Sequence, residues 1–234
     1  NMDLTRTGFK EVDLVDYNAE NVKIGGSLHY NINDNIRSIF QFNYAKGSSV
    51  YSAQNRFSLN NFSIMNYKAE LQSKNMLLRF SGANENSGDT FDAGTLAIQI
   101  NELWKSSELW YQDFFTGFLT GKLAYAMDDE AASKYGRMVA DNIDEFGNIL
   151  DSSKPSLPKS GTSLFNNLKN QAISKNISDG GARVFDKSSF YNLDFNYNFN
   201  ELISSFNLLF GANLKYTVIN SEGSIFYDKP GDPL

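Results

Sequence analysis

Tyr191-Asn192-Leu193-Asp194-Phe195-Asn196-Tyr197-Asn198-Phe199 places an apolar or aromatic residue at every odd position and Asn or Asp at every even one. Successive side chains of a strand point to opposite faces, so this segment reads as a strand with one aromatic and one hydrophilic face. A soluble strand can be written this way once. Repeated over segments of about ten residues, it matches strands tilted across the hydrocarbon of a bilayer, with lipid on one side and water on the other.

Two further pairs of segments follow the same rule. Val22, Ile24, Leu28 and Tyr30 share a face, with Lys23, Ser27 and His29 opposite. After the turn-forming run Asn31-Ile32-Asn33-Asp34-Asn35, Ile36, Phe40, Phe42 and Tyr44 align, with Gln41 and Asn43 opposite. Pairing Tyr30 with Ile36 would set Ile24 against Phe42 and Val22 against Tyr44, keeping one apolar face. Next, Met65, Tyr67, Ala69 and Leu71 alternate with Asn66, Lys68, Glu70 and Gln72, and Met76, Leu78 and Phe80 alternate with Leu77, Arg79 and Ser81. A two-residue turn at Lys74-Asn75 then pairs Leu71 with Leu78, Ala69 with Phe80 and Glu70 with Arg79. The third pair joins residues 191–199 by a short turn to a segment from Phe206 on, where Leu208, Phe210, Ala212, Leu214, Tyr216 and Val218 share a face.

Between the pairs lie residues 45–63, read as a loop, and the much longer insertion 84–189. The insertion is expected to be partly helical, with helices over 128–141 and 162–175, the second N-capped by Thr162 or Ser163. Lys154-Pro155-Ser156-Leu157-Pro158 breaks it, and Ser178-Asp179-Gly180-Gly181 marks the return. Outer-membrane barrels have short periplasmic turns and long extracellular loops, so the insertion is expected outside the cell. The fold class expected is all-β: a partial antiparallel transmembrane β-barrel over residues 1–234, with 84–189 as an extracellular loop. Six strands cannot close a barrel, since the smallest have eight, and an open edge cannot face lipid. The opening Asn1-Met2-Asp3-Leu4-Thr5-Arg6 lacks the basic and apolar regions of a secretory leader. Both features lead to the expectation that these residues belong to a larger polypeptide.

Composition narrows the function. Mean hydropathy is -0.40 and no apolar run approaches the roughly 20 residues of a spanning helix. A barrel escapes that test because only every second residue meets lipid. With 21 Lys plus Arg against 27 Asp plus Glu, net charge -6 and no dense basic cluster, nucleic acid is not an expected partner. The absence of cysteine removes disulfides, thiolate metal sites and cysteine nucleophiles.

Gly8-Phe9-Lys10-Glu11, the run Asp13-Leu14-Val15-Asp16-Tyr17-Asn18-Ala19-Glu20-Asn21-Val22-Lys23, Glu85-Asn86-Ser87-Gly88-Asp89 and the stretch from Gly180 through Ser188 resemble the front part of the barrel in TonB-dependent outer-membrane receptors of the Bacteroidetes type. The resemblance extends over most of the chain and is weakest over 127–160. It implies a 22-stranded barrel filled by an N-terminal plug in the cell outer membrane. Such a receptor imports a scarce nutrient with energy relayed by the TonB system, and a surface lipoprotein can cap it. Plug and TonB-contacting segment are not among these residues, and ligand-binding positions vary too widely in the family to be carried over.

Candidate sites are few. Trp104, Trp110 and Tyr111, followed by Phe114, Phe115 and Phe118, read as loop aromatics that could form a platform for a glycan, peptide or small-molecule ligand, but a loop domain of this size needs a core, and packing is the preferred reading. Asp128, Asp129, Glu130, Asp141, Asp144 and Glu145 are acidic but lack the spacing of a calcium loop, so no metal site is assigned. His29 stands alone and is assigned to the polar wall. No nucleophile elbow, zinc-binding helix or phosphate-binding glycine loop occurs, so neither an enzyme nor a cofactor is expected. The rival reading is a soluble extracellular β-sandwich that binds carbohydrate or another surface ligand, its aromatic stripes buried against a second sheet. A porin without energy coupling is the third.

Overall fold

In the computed structural model, which describes residues 4–203 and 206–229, the chain forms two compact units. One comprises residues 16–91, 176–178 and 183–234, and is built on an open antiparallel sheet. Its strands are β1 (Glu20–Asn33), β2 (Ile36–Ser52), β3 (Arg56–Ser73), β4 (Met76–Asn86), the two-residue β5 (Phe91–Asp92), β6 (Ser189–Asn198) and β7 (Leu209–Val218). They run in the spatial order β1-β2-β3-β4-β6-β7, with β5 paired to β3.

Register carries the alternation across all six long strands. Leu28, Phe40, Ala69, Phe80, Leu193 and Leu214 form one row of direct neighbours, and Gly26, Phe42, Tyr67, Gly82, Tyr191 and Tyr216 the next. Such rows run from Ile36, Met76, Tyr197 and Phe210 up to Ile24, Tyr44, Met65 and Val218. Along β2 that is Ile36 to Tyr44, about 26 Å at the rise of an extended strand. The opposite face carries His29, Ile39, Glu70, Arg79, Asp194 and Asn213 in one row, and Ser27, Gln41, Lys68, Ser81, Asn192 and Lys215 in its neighbour.

The apolar face is uncovered. Leu28 is 65% exposed, Phe80 40% and Leu214 67%, and Val22, Ile24, Tyr30, Phe42, Phe210 and Tyr216 are exposed as well. Aromatic contacts bind the strands sideways: Tyr67 to Phe80 at 6.1 Å, Phe80 to Tyr191 at 6.4 Å and Tyr191 to Tyr216 at 6.3 Å. A Cβ on Gly82 would lie 2.4 Å from the Tyr67 ring, so the ring rests where a side chain would otherwise stand. That contact restores packing that glycine removes from a strand.

Three sequence expectations change here. Residues 45–63 are not a loop: β2 and β3 continue through them to a tight turn at residues 53–55. Gly47, Ser48, Ser49, Asn60 and Asn61 hide the alternation, and a register shift falls where Asn61 adopts φ 56°. Gly88, at φ 61°, lies against this irregularity, where a Cβ would meet the Asn60 carbonyl oxygen at 2.4 Å. In the first hairpin the partners are Ile24 with Tyr44 and Val22 with Lys46, because Asp34-Asn35 form a two-residue turn and a bulge between Asn31 and Asn33 moves the register by one residue. The two-residue slip preserves both faces. In the third pair the connection is longer than expected, since β7 begins at Leu209; residues 204 and 205 lie outside the described residues. The second hairpin has the expected pairs, Leu71 with Leu78 and Glu70 with Arg79.

The other unit comprises residues 1–15, 92–175 and 179–182. Its helices are α1 (Glu11–Leu14), α2 (Ala93–Trp104), α3 (Ser107–Ala124), α4 (Asp129–Asp141) and α5 (Ser163–Ile173). Asp92, Ser106, Asp128 and Thr162 accept hydrogen bonds from backbone amides in the first turns of α2 to α5, the expected chemistry of helix starts. Gly117 and Gly121 let α3 approach Ala132 and Gly136 on α4 closely; a Cβ on Gly117 would lie 2.8 Å from the Gly136 Cα. The core holds Leu96, Ile100, Trp110, Phe114, Ala140 and Phe165. Among the described residues no helix is long and apolar enough to cross a membrane.

Candidate functional site

On the polar face of the sheet, Lys68, Glu70 and Arg79 come together across β3 and β4. Arg79 donates through Nε to Glu70 Oε2 at 2.7 Å, and Lys68 Nζ lies 3.6 Å from the same oxygen. Glu70 is 7% exposed and Arg79 38%, so the carboxylate is the covered partner. One strand further, Asp194 accepts from the Asn192 amide at 2.6 Å and from Asn213. Glu70 and Asp194 are thus each held by neighbouring donors on this face. Toward the 53–55 end, a hollow of about 440 Å³ includes Asn21, Lys23, Ala45, Phe62 and Ile64 in its lining. His29 stands exposed on this face, in register with Ile39.

The aromatics read as a loop platform lie on helices instead. Trp104 ends α2, and Trp110 and Tyr111 occupy the first turns of α3. Trp110 is fully buried, stacks on Phe114 at 5.6 Å and donates its indole N–H to Asp141 Oδ1 at 2.8 Å. It is a core residue with no face turned to solvent. Tyr111 meets it edge-on at 5.2 Å, and Trp104 packs against the same cluster.

Arg6, which the sequence reading did not single out, faces both indoles. Its guanidinium carbon lies 5.8 Å from the ring centre of Trp104 and 5.8 Å from that of Trp110. It donates to Glu102 Oε1 at 3.1 Å, Ser107 Oγ at 3.2 Å and the Asn101 carbonyl at 3.0 Å. Its side chain is only 9% exposed. Burial lowers the guanidinium from its ordinary value, while Glu102 and Asp141 pull it back up. For Glu102, burial opposes ionisation, but bonds from the Ser107 hydroxyl and amide and the charge of Arg6 hold the carboxyl below its usual value. Lys105 and Arg137 face the same indoles, at 5.9 Å from Trp104 and 5.6 Å from Trp110, so Arg6 is one of three cations drawn to these rings.

The acidic residues scatter into separate tasks. Asp128 caps α4, Asp129 pairs with Lys122 at 2.7 Å and Glu145 lies 3.7 Å from Lys134. Asp141 is buried beneath Trp110 and also accepts from the Thr7 hydroxyl. Asp144 closes the turn to Asn148, whose amide and side-chain nitrogens lower its carboxyl from the ordinary value. Among the described residues no three His, Cys, Asp or Glu side chains converge as a metal site would require.

No family model, curated protein or solved structure matches this chain. The functional reading therefore stands on geometry: a two-faced sheet, and a helical unit with an arginine held between two tryptophans.

Proposed function

We propose that the sheet is a stretch of the wall of a transmembrane β-barrel in the outer membrane, part of a receptor that takes up a nutrient ligand. Its apolar face meets lipid and its polar face lines the lumen. The observation that carries this reading is the uncovered apolar face, continuous across six strands and about nine residues long, backed by a polar face in register. At ordinary strand spacings it measures roughly 26 Å by 24 Å, on the order of 600 Å². Soluble monomers rarely leave so large an apolar patch in water, whereas a barrel's outer band is about 25 Å tall with aromatic girdles. Tyr44, Tyr67, Tyr191 and Tyr216 gather toward one end of the band, and Tyr30 and Tyr197 toward the other, as amphipathic rings do at membrane interfaces.

Both outer strands, β1 and β7, have one neighbour each among the described residues. Closure in this reading comes from further strands, a 22-stranded barrel being the form the family resemblance implies, with TonB coupling and a surface lipoprotein as its partners. The helical unit belongs to the extracellular side, and the ligand is a siderophore, glycan or peptide. The sandwich alternative is disfavoured by the exposed Phe42 and Phe210, which a second sheet would have buried.

Cells producing the protein provide the test. Fractionation is expected to recover it with the outer membrane, and external protease to cut residues 143–160 while leaving the strands intact. Accumulation of one member of a panel of labelled siderophores, oligosaccharides and peptides is expected, and a protonophore abolishes it. Recovery in the soluble fraction, with the strands cut as fast as the loop, would overturn the proposal.

A further inference from the structure

Residues 4–15 run along all four long helices of their unit. Arg6 bonds α2 and α3, Thr7 accepts from Asn101 Nδ2 through its carbonyl at 2.9 Å and from Arg137 of α4 through its hydroxyl at 3.2 Å, and Phe9 packs edge-on against Phe165 of α5 at 5.3 Å. The two halves of this strap are held differently. Leu14 and Val15 are buried apolar anchors, 3% and 5% exposed, and Lys169 Nζ donates to the Asp13 carbonyl at 3.3 Å. Residues 4–8 have no regular secondary structure, and among the described residues no backbone-to-backbone hydrogen bond ties them to a helix. Gly8 between the halves is exposed, with open space around its Cβ position.

The first half is held by side chains alone: Leu4 packs against the Trp110 cluster, the Thr7 hydroxyl donates to Asp141, and Arg6 makes the remaining contacts, with an incomplete fit. Arg6 Nε and Trp104 Nε1 are both buried with no hydrogen-bond partner among the described residues. Beneath Arg6 lies a site built by the helices themselves: two indoles, over which Lys105 and Arg137 also lie at 5.9 and 5.6 Å, the Glu102 carboxylate, the Ser107 hydroxyl and the Asn101 carbonyl. Aromatic faces with a carboxylate and directed acceptors are what a planar, delocalised cation selects.

We propose that this slot is a guanidinium-binding site occupied in cis by Arg6, and that residues 4–8 swing out about Gly8 to exchange it for an external arginine side chain. Release breaks no helix or sheet ladder and leaves residues 9–15 anchored. Strap and external ligand compete for one position, so the strap lowers apparent affinity by the fraction of molecules in which it is closed.

Trp104 and Trp110 are the only tryptophans of the chain, so intrinsic indole emission reports on the slot alone. In the Arg6→Ala variant of this chain, methylguanidinium is expected to change that emission saturably, and methylammonium, which lacks the planar fork, is not. Wild type should respond at concentrations at least about tenfold higher, because Arg6 must leave first. In wild type, amide hydrogen exchange at residues 5–8 is expected to outpace that at Ile100 and Phe114. An Arg6→Ala protein that shows no saturable response would overturn the proposal, as would equal responses to both cations. So would a helical unit that unfolds in Arg6→Ala and is not restored by methylguanidinium, or strap amides protected as strongly as the core.

Discussion

The sheet and the helical unit spend their aromatic residues in opposite ways. In the sheet Phe42, Phe80, Phe210 and Tyr216 point outward and stay exposed; in the helical unit Trp110, Phe114 and Phe165 are buried almost completely. Each unit is internally consistent. A helical unit must bury apolar side chains against its own elements to be stable in water, whereas a sheet wall can leave one face bare only where the surroundings are apolar too. Under the proposed function the difference between the units is one of solvent, with water around the helical unit and, on the sheet, water on one face and lipid on the other.

That contrast can be broken first at Trp110. Trp110→Ala removes a fully buried ring and leaves Asp141 without its indole donor, at a cost of about 3–5 kcal/mol. Hydrogen exchange should show protection lost through α3 and α4 and kept in β3 and β4. Equal loss in both would mean the two units do not hold their stability separately. The second comparison lies within the sheet. Leu193→Arg is expected to cost about 2–4 kcal/mol for folding into lipid vesicles, as an arginine at mid-membrane does on a barrel's outer face. Asn192→Arg, one residue away on the polar face, should cost almost nothing, and comparable penalties for both would remove the distinction between the faces.

These comparisons also explain what sequence alone could reveal. In the strands the period of two survives because each face has its own composition, so Leu71 against Leu78 and Glu70 against Arg79 follow from a two-residue turn. Alternation fades where β2 and β3 run through small polar residues, so the extensions over 45–52 and 56–64 are invisible to it. Helix α3 escapes for the opposite reason. Leu109, Trp110, Tyr111, Phe114, Phe115, Phe118 and Leu119 surround much of its circumference, and Gly117 and Gly121 read as breakers until α4 is seen lying against them. Helices α4 and α5 stand out because Asp128 and Thr162 cap segments with polar faces. The Trp104 and Trp110 pair was legible as an aromatic cluster; Arg6, which faces both rings from some hundred residues away in sequence, was not.

The smallest effect is expected at the turn over 221–228, beyond β7. Asp228 accepts from the Ser221 amide, the Ser221 hydroxyl at 2.7 Å and the Gly223 amide at 2.8 Å, which lower its carboxyl to about 2. A carboxyl lowered in the folded state stabilises it fully above the ordinary value of 3.8 and loses that contribution as pH falls through about 2. The Gly223 amide resonance should stay fixed through pH 4 and move only near pH 2. Movement centred near 4 would show the turn is not held this way.

The two-faced wall is tested most directly along β6, since the chain has no native cysteine and single nitroxide labels can be placed at will. With the protein in lipid bilayers, labels at Tyr191, Leu193, Phe195 and Tyr197 should collide with dissolved oxygen and be shielded from a water-soluble nickel complex. Labels at Asn192, Asp194 and Asn196 should show the reverse. Odd positions shielded from both reagents, as behind a second sheet, or both sets equally open to nickel, would contradict a wall that faces lipid.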